Sequence, residues 1–265
     1  MPIIEVKQLK KQFKELVAVD GISFAVESGE IFGFLGPNGA GKSTSINMLA
    51  TILSPTSGDA IVNSYSILNA RDDVRRSIGL VFQDPSLDDR LTAEENLRFH
   101  AQLYGVSKAE YHKRREEVLE LVDLADRRDD LVRTFSGGMK RRLEIARGLI
   151  HYPAVLFLDE PTIGLDPQTR AHLWEYILKL KREKGMTIFL TTHYMNEAEY
   201  CDRIAIIDHG KIVALDTPGA LKQQVGGQTL DDVFLGIVGK DIRHEEASDL
   251  DRTRTHMQMR GGRRG

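Results

Sequence analysis

The chain has 265 residues, and its composition limits what it can be. Hydrophobic residues make up 41% of it, which can fill an ordinary core, so the length allows one large globular domain or two small ones. The 36 Lys and Arg residues nearly balance the 39 Asp and Glu residues, and the net charge of -3 gives no general attraction to nucleic acid or anionic lipid. We therefore do not expect nucleic acid as a partner.

The single cysteine and the short apolar runs exclude further possibilities. Cys201 has no second cysteine with which to form an internal disulfide, and a lone cysteine is more often a core residue than a reactive thiol. The densest apolar runs, AVLFL and IAII, are far shorter than the roughly 18 residues that a membrane-spanning helix needs. The N-terminus, MPIIEVKQLK, lacks the apolar centre of a signal peptide. We expect any membrane role to come through a partner.

The first part of the chain predicts strands and then a strand–loop–helix unit. Residues 3–9, 17–19 and 22–26 are strand-like, with turn signals at Asp20-Gly21 and Ser28-Gly29, which favours an antiparallel sheet. A short buried-type strand, EIFGFL, then runs into the loop GPNGAGKST and the helical pattern SINMLATIL. After it, the strand-like segments DAIVNSYSI and IGLVF are separated by the charged run RDDVRR.

A charged, helical region follows and is then replaced by alternating strands and helices. Between residues 92 and 133, apolar residues recur at helical spacing (Val118, Leu121, Val122 and Ala125), which predicts exposed amphipathic helices inserted into an α/β core. Beyond them, strand-like and helical segments alternate, and this alternation favours a parallel sheet. The segments are AVLFLDEP, TRAHLWEYILKLKREKG, MTIFLTTH and NEAEYCDR, and the hairpin-like IAIIDHGKIVALD follows them. Residues 248–265 have no apolar pattern and are expected to form a disordered tail.

The loop GPNGAGKST matches the pattern G-x-x-x-x-G-K-[ST], which binds nucleotide phosphates. The glycines let backbone N–H groups surround phosphate oxygens, Lys42 neutralises charge between the outer phosphates, and the Ser43 hydroxyl ligates Mg²⁺. The alternative is a plain glycine-rich turn, but the strand before the loop and the helix after it favour the phosphate site. The predicted nucleotide-binding residues of this loop are Gly36, Pro37, Asn38, Gly39, Ala40, Gly41, Lys42, Ser43 and Thr44.

Two acidic residues follow the apolar strand AVLFL. At the carboxyl end of a parallel strand, Asp159 can hold the shell of a Mg²⁺ ion, and Glu160 can polarise an attacking water molecule. A pair of surface acids before a proline turn is an equally good interpretation of DEP alone. The phosphate loop upstream favours the catalytic interpretation.

The stretch TFSGGMKRR begins the helical pattern LEIARGLI with two adjacent glycines. Each glycine inside a helix costs about 1 kcal/mol relative to alanine, and a serine cap at Ser136 does not explain both. We therefore expect another group to come close to the backbone of Gly137 and Gly138.

Five motifs, taken in their order along the chain, resemble the nucleotide-binding domain of ATP-binding cassette (ABC) transporters. They are GPNGAGKST, VFQD, FSGGMKRRLEIA, LFLDEPTIGLDP and LTTH. The resemblance covers residues 3–238. It implies an α/β fold with a P-loop NTPase (RecA-like) core, an N-terminal antiparallel β subdomain and an inserted α-helical subdomain at about residues 84–140. Residues 239–265 are then a C-terminal tail.

The resemblance also implies roles for residues outside the phosphate loop. Gln83 would sense Mg²⁺ and the attacking water, in a loop through which the transport domains couple, and His193 would contact the γ-phosphate. Asp166 lies in a segment that contacts the other subunit of a dimer. Phe13 would stack on adenine, although its aromatic ring alone is almost as consistent with a core residue.

In the same family, the Ser136-Gly137-Gly138 segment of one subunit covers the ATP held by the phosphate loop of the other. This implies two composite sites in each dimer. The chain departs from the commonest form of the segment, which has leucine and glutamine where Phe135 and Met139 stand, and Met139 cannot supply the reciprocal side-chain cap that glutamine could.

Three segments resemble the branch of the family that drives ABC-2-type exporters, including the daunorubicin-resistance and nodulation-factor groups. They are FSGGM with the basic pair that follows it, LTTHYMNEAE, and TLDDVFLGIVG. This implies an ATP-hydrolysing subunit that uses ATP and Mg²⁺ with Lys42, Gln83, Glu160 and His193 in catalysis. It also implies a separate integral-membrane permease and a second ABC ATPase subunit, with a homodimer expected. The protein would be peripheral, held by the permease at the cytoplasmic face of the membrane.

Three alternatives account for less of the sequence. A soluble ABC-class ATPase of ribosomes or DNA ends would have tandem cassettes or long coiled coils, and the chain has one cassette and no long heptad run. A nucleotide-dependent regulatory subunit would bind ATP without turnover, which the intact Lys42, Asp159, Glu160 and His193 disfavour. An ordinary P-loop kinase or GTPase does not explain SGGMK.

Overall fold

The computed structural model describes residues 2–84 and 86–239. The first half contains β1 (Pro2–Phe13), β2 (Leu16–Glu27), β3 (Ile31–Leu35), α1 (Lys42–Leu49), β4 (Ser57–Val62), β5 (Tyr65–Ser66), α2 (Arg71–Ser77), β6 (Ile78–Val81), α3 (Ala93–Leu103) and α4 (Lys108–Leu121). The second half contains α5 (Gly137–Leu149), β7 (Val155–Asp159), α6 (Pro167–Lys184), β8 (Thr187–Thr192), α7 (Met195–Ala198), β9 (Arg203–Asp208), β10 (Lys211–Asp216), α8 (Pro218–Val225) and α9 (Leu230–Val238).

The N-terminal antiparallel sheet predicted from the sequence is confirmed, with the strand order β2-β1-β4-β5. The predicted break at Asp20-Gly21 is wrong, because β2 runs through it. Leu9 pairs with Ile22 and Lys11 pairs with Val19, so β2 has one more residue than β1 between these two pairs and forms a bulge. Gly21 lies in this bulge with a φ of +68°. A local turn signal therefore marks an irregular but continuous strand.

The second sheet has the strand order β10-β9-β3-β8-β7-β6. Strands β6, β7, β8, β3 and β9 pair in parallel, as the alternation of strands and helices predicts, and β10 adds antiparallel at one edge. Every residue of β3, β7 and β8 is buried, which explains their almost continuous apolar sequences. Leu35 pairs with Thr192 and Asp159 pairs with Thr191, so the segments that follow these three strands emerge together.

The two sheets are joined by a cluster of phenylalanine rings. Phe24 of the antiparallel sheet stacks on Phe32 of β3 with ring centroids 5.4 Å apart, and it also meets Phe34 and Phe189. All three core-sheet rings are completely buried. This packing fixes the N-terminal sheet against the face of the core that carries the phosphate loop.

Helices α3 and α4 lie between β6 and β7 in the chain, in the region predicted to be helical. Val118, Leu121 and Val122 are buried as their spacing predicts, whereas Ala125 is exposed. The helix ends at Leu121, and Asp123 has a φ of +50°, so the helical periodicity does not extend to Ala125. That part of the prediction is wrong.

The charged run RDDVRR is a helix, α2, where the sequence suggested only a separator between strands. Asp72 and Asp73 lie in its first turn and Arg75 and Arg76 in its last, which suits the helix dipole. Each aspartate pairs with the arginine three residues later, and Val74 anchors the helix in the core. Helix α7 is also shorter than NEAEYCDR predicted.

Two further predictions concern single residues and the tail. Cys201 is buried at 5% exposure, which confirms its interpretation as a core residue. Within the described ranges, no helix combines the length and apolar character needed to cross a membrane. The tail predicted at residues 248–265 lies outside the described residues.

Candidate active site

The phosphate loop joins β3 to α1, and two of its glycines are required by the packing of the chain itself. A Cβ atom on Gly36 would lie 2.3 Å from the carbonyl oxygen of Ile207 in β9. Gly41 has a φ of +107°, and its Cβ would lie 2.4 Å from the carbonyl oxygen of Ala18 in β2. The loop is therefore pressed between the two sheets, in a conformation that side chains would prevent.

Lys42 opens α1 and turns back over the loop. Its Nζ donates hydrogen bonds to the carbonyl oxygens of Gly36 at 2.8 Å and Pro37 at 3.2 Å. The same Nζ lies 3.2 Å from Oε1 of Glu160, and the two side chains are only 5% and 8% exposed. The cationic end of Lys42 is thus held at the mouth of the loop, where a nucleotide phosphate would enter.

Asp159 and Ser43 meet beside the lysine. Ser43 Oγ donates to Asp159 Oδ1 at 3.2 Å, and Thr191 Oγ1 donates to the same oxygen at 2.5 Å. A hydroxyl and a carboxylate at this spacing are the hard oxygen ligands that Mg²⁺ uses when substrate phosphates complete its shell. Among the described residues, no group of three or more His, Cys, Asp or Glu could hold a metal ion on its own.

Glu160 connects Lys42 to His193. Its second oxygen, Oε2, lies 2.9 Å from Nδ1 of His193, which follows the neighbouring strand β8. The histidine is the more open of the two, with 30% of its side chain exposed. Lys42, Glu160 and His193, which come from three separate parts of the sequence, form one connected cluster.

The backbone of Glu160 has a conformation that the sequence does not reveal. Its φ is +46°, in the left-handed region that a residue with a side chain enters at a cost of roughly 1–3 kcal/mol. The Glu160 N–H donates to both the carbonyl oxygen of Thr191, at 3.2 Å, and its Oγ1, at 3.0 Å. The surrounding structure therefore holds this residue in a strained position that aims its carboxylate between Lys42 and His193.

The Ser-Gly-Gly segment forms the start of α5. Ser136 is the N-cap, and its Oγ accepts a hydrogen bond from the Met139 N–H at 3.2 Å. A Cβ on Gly138 would lie 2.3 Å from Cγ2 of Thr169, so α6 is the group that approaches this glycine. A Cβ on Gly137 would meet nothing within 4 Å. The packing of α5 against α6 therefore explains why residue 138 is a glycine, but it does not explain why residue 137 is one.

Asp166 caps the N-terminus of α6. Its Oδ1 accepts from the N–H groups of Gln168 and Thr169, and Thr169 Oγ1 donates to Oδ2 at 2.6 Å. The side-chain hydrogen bond from Thr169, followed by the backbone hydrogen bonds, lowers the pKa of Asp166 below its usual value. Asp166 thus has a structural role within its own chain, and Thr169 connects it to Gly138.

Phe13 and Gln83 lie apart from the cluster. Phe13, at the tip of the β1–β2 hairpin, is 43% exposed, with Nζ of Lys11 5.0 Å from its ring centroid, so it is not a core residue. Gln83 is exposed in the loop after β6. In the described part of the chain, neither Gln83 nor Ser136 hydrogen-bonds to the Lys42–Glu160–His193 cluster.

A buried polar layer that the sequence does not predict lies beneath the cluster. Glu197 is 1% exposed and accepts hydrogen bonds from the hydroxyls of Thr162 and Thr192, the latter at 2.8 Å. Burial raises the pKa of Glu197, and the threonine hydrogen bonds and the nearby Arg170 oppose that rise. The sequence signal for this polar layer is the pair of adjacent threonines at the end of MTIFLTT, because polar residues are unusual at the end of a buried strand that is otherwise mostly apolar.

A parallel sheet with a phosphate loop after one strand and Asp-Glu after another defines a P-loop NTPase. The family model described as ABC transporter matches residues 19–163. The chain is 45% identical over 229 residues to the linearmycin resistance ATP-binding protein LnrL of Bacillus subtilis, covering 86% of this chain and 73% of LnrL. It is also 45% identical over 228 residues to the daunorubicin/doxorubicin resistance ATP-binding protein DrrA of Streptomyces peucetius, covering 86% and 69%.

Among solved structures, the chain is similar to the dimeric ATP-binding cassette MJ0796 in a post-hydrolysis state bound to ADP and Pi. The TM-score is 0.72 and the identity 29%, over 81% of this chain and 98% of that one. The chain therefore belongs to the ABC transporter family. It is the ATP-hydrolysing subunit of an export-type transporter, and it binds ATP.

Proposed function

We propose that two copies of this chain close face to face around two ATP molecules and drive a separate ABC-2-type permease. The observation that carries the proposal is the position of the Glu160 carboxylate, which has one oxygen 3.2 Å from Lys42 Nζ and the other 2.9 Å from His193 Nδ1. This geometry supports the proposal, because Glu160 would act as a base between Lys42, which would bind the γ-phosphate, and His193, which would contact that phosphate from the other side. The phosphate-binding residues are those of the loop at residues 36–44.

Binding of ATP would change the partner of Lys42. The γ-phosphate carries more charge than a carboxylate, so it replaces Glu160 at the lysine and frees Oε1 to accept a hydrogen bond from the attacking water. As that water attacks the γ-phosphorus, its proton passes to Glu160 and the bond to the ADP oxygen breaks, giving ADP and phosphate. His193 keeps the other carboxylate oxygen in place and contacts the γ-phosphate. Catalysis depends mostly on positioning and charge stabilisation.

Ser43 and Asp159 would hold Mg²⁺ together with the phosphates, and Gln83 would reach the same ion from the loop after β6. When bound, the ion supplies charge neutralisation at the β- and γ-phosphate oxygens. Thr191 keeps the Asp159 carboxylate in place through its 2.5 Å hydrogen bond.

The second half of each site would come from the other subunit. Ser136 and the free N–H groups of Gly137 and Gly138 lie at the N-terminus of the 13-residue α5, where the helix dipole favours an anion. The open space around Gly137 leaves its backbone accessible to a γ-phosphate. Asp166, two residues past Gly164, would contact the other subunit nearby. The dimeric state of MJ0796 supports this arrangement. Phe13 would stack on adenine within the same subunit as the phosphate loop.

Exposed apolar side chains at Phe82, which precedes Gln83, and on α3 support permease docking. Phe82, Phe99 and Leu103 are 37%, 61% and 67% exposed, and the last two lie one turn apart on α3. Leu103 also lines a cavity of about 470 Å³ next to Arg75 and Arg76 of α2. We propose that the permease contacts this face, which would make the protein peripheral at the cytoplasmic side of the membrane.

The proposed domain division remains residues 3–238, with the helical part at about 84–140 and the tail at 239–265.

Co-purification from membranes tests the transporter assignment. The tagged full chain is expressed in its host, the membranes are solubilised in detergent, and the captured proteins are identified by mass spectrometry. We expect a polytopic membrane protein in stoichiometric amount, lost in a Phe99→Glu/Leu103→Glu variant that still hydrolyses ATP. Recovery of ribosomes or nucleic acid alone would contradict the proposal and favour a soluble ABC-class ATPase.

A further inference from the structure

Arg141 is buried in α5, five residues after Ser136, and it reaches the main chain of two other segments. Its side chain is 7% exposed. Nε donates to the carbonyl oxygen of Pro161 at 2.7 Å, and Nη2 donates to the carbonyl oxygen of Asp159 at 3.1 Å. These two carbonyls belong to the residues immediately before and after Glu160. The guanidinium therefore holds both flanks of the residue whose backbone is in the left-handed region.

The same guanidinium reaches the loop that carries Gln83. Nη1 of Arg141 donates to the carbonyl oxygen of Phe82, the residue immediately before Gln83, and also to Oε2 of Glu144 at 3.0 Å. Glu144 is 1% exposed, and its carboxylate compensates the buried positive charge. One side chain thus connects the start of the Gln83 loop with the main chain around Glu160.

The far end of the Gln83 loop is held by the same helix. Oε1 of Glu144 accepts a hydrogen bond from the Ser86 N–H at 2.7 Å. Arg147, one turn further along α5, donates to the Ser86 carbonyl oxygen at 2.7 Å and to the Ser86 hydroxyl. Phe82 and Ser86 are therefore both fixed to α5, and Gln83 lies between the two attachment points.

We propose that Arg141, with Glu144 as its counter-ion, is a positioning residue for ATP hydrolysis that fixes Glu160 relative to the Gln83 loop and the Ser136 end of α5. The proposal rests on the roles given above to Glu160 and Gln83. A movement of the Gln83 loop, such as one imposed by a permease, is passed through the guanidinium to the main chain on both sides of Glu160. Arg141 would act through these protein groups, without a contact of its own to the nucleotide.

The chemistry of arginine suits this task better than that of lysine. A guanidinium presents its donors in a rigid planar fork, so one side chain can bind three carbonyl oxygens and a carboxylate in different directions. A lysine at the same place keeps the charge and can pair with Glu144, but its single nitrogen cannot span Phe82, Asp159 and Pro161. Arg141→Lys therefore removes the connection and keeps the charge.

The test compares Arg141→Lys with Arg142→Lys in the full chain, using Mg²⁺ and ATP. Arg142 is the matched control because its guanidinium contacts Val122 and Tyr176 instead. We expect Arg141→Lys to lower kcat roughly 10- to 100-fold, as a displaced catalytic group does, while KM for ATP changes less than about threefold. Arg142→Lys should leave both within about twofold of the wild type. A folded Arg141→Lys protein with unchanged kcat, or with an equal loss in ATP binding, overturns the proposal.

A double variant shows whether Arg141 acts through Glu160. In single-turnover experiments, we expect Arg141→Lys to lower the residual rate of Glu160→Gln by less than about twofold, because the group that it positions is already inactive. A full multiplicative loss means that Arg141 acts elsewhere. Normal turnover in Glu160→Gln alone removes the proposed role of Glu160, a result distinct from normal turnover in Arg141→Lys.

Glu144→Gln tests the positioning role of Arg141 if the Arg141→Lys protein does not fold. The amide keeps an oxygen for the Ser86 N–H and removes the counter-charge of Arg141. We expect a smaller fall in kcat, of about 3- to 10-fold, with KM unchanged. A folded Glu144→Gln protein with wild-type kcat overturns the proposal.

Discussion

The Glu160 carboxylate shares its two oxygens between Lys42, at 3.2 Å, and His193, at 2.9 Å. The lysine and glutamate side chains are nearly buried, so solvent screens their interaction little. If the γ-phosphate of ATP binds Lys42 as proposed, it would compete with Glu160 for the lysine, and Glu160 would be released as the group that it helps to hydrolyse arrives. ATP binding and the activation of Glu160 would then be coupled through the Lys42–Glu160 ion pair.

Glu160→Gln tests this coupling. The amide keeps the size of the side chain but cannot accept the proton of the attacking water, so we expect ATP binding to persist while kcat falls by about 100-fold or more. ATP-bound dimers should accumulate in size-exclusion chromatography. Glu120→Gln, on an exposed position of α4, is the control and should behave as wild type. Wild-type turnover in Glu160→Gln would remove Glu160 from its role.

Phe13→Ala tests adenine stacking. Because a stacked base contributes about 1–3 kcal/mol, we expect KM for ATP to rise roughly 5- to 100-fold with little change in kcat. The ring is 43% exposed, so the melting temperature should hardly change. Phe13→Tyr, which keeps an aromatic face, should retain the wild-type KM. An unchanged KM in Phe13→Ala would assign the ring to another contact.

Gly138→Ala separates the packing role of this glycine from any contact with nucleotide. The new methyl group would clash with Cγ2 of Thr169 at 2.3 Å, so we expect a loss of about 1–3 kcal/mol in the free energy of unfolding. Thr169→Ser removes that methyl group and keeps the hydroxyl that binds Asp166, so the double variant should recover stability in urea denaturation. If Thr169→Ser gives no recovery, the clash is not the cause.

Two partly buried histidines should make stability depend on pH. Burial, and secondarily Arg147, lowers the pKa of His100 to about 3, and burial lowers that of His151 to about 4. His151 Nε2 donates to the Ile78 carbonyl oxygen, and its Nδ1 has no partner among the described residues, so a proton there would be buried without an acceptor.

The unfolded chain binds protons at these histidines below about pH 6.5, and the folded chain does so only near pH 3 to 4. Stability from this source is therefore complete above pH 6.5 and declines as the pH falls. At pH 5 we expect each histidine to account for a loss of up to about 2 kcal/mol relative to pH 7. A His100→Gln/His151→Gln variant should show a smaller decline between pH 7 and 5; an equal decline would assign the dependence to carboxylates.

The sequence predicts the chemistry of the site better than its supporting contacts. The phosphate loop, Asp159 and Glu160 follow buried strands, and adjacent parallel strands bring their carboxyl ends together, so the strand pattern indicates that these groups lie at one edge of the sheet. The place of His193 among them is implied only by the family resemblance. The approach of Thr169 to Gly138 depends on how α5 packs against α6, and no local pattern contains that information. Arg141 and Glu144 lie in a charged run, where nothing distinguishes a buried ion pair from a solvated one.

Subunit mixing tests the composite site most directly. Lys42→Ala damages the phosphate loop, and Gly137→Asp places a negative charge where the γ-phosphate of the other subunit should lie, at a helix start that accepts aspartate without a clash. Each variant alone should be inactive. A mixed dimer contains one intact site out of two, and about half of the dimers in an equal mixture are mixed, so the mixture should recover about a quarter of wild-type turnover.

A mixture of Lys42→Ala with Glu160→Gln is the control, because both changes damage the same half of the site and no intact site can form. We expect recovery of turnover in the first mixture and none in the second. Turnover in the first mixture no higher than that of its two components would contradict a site built from two chains.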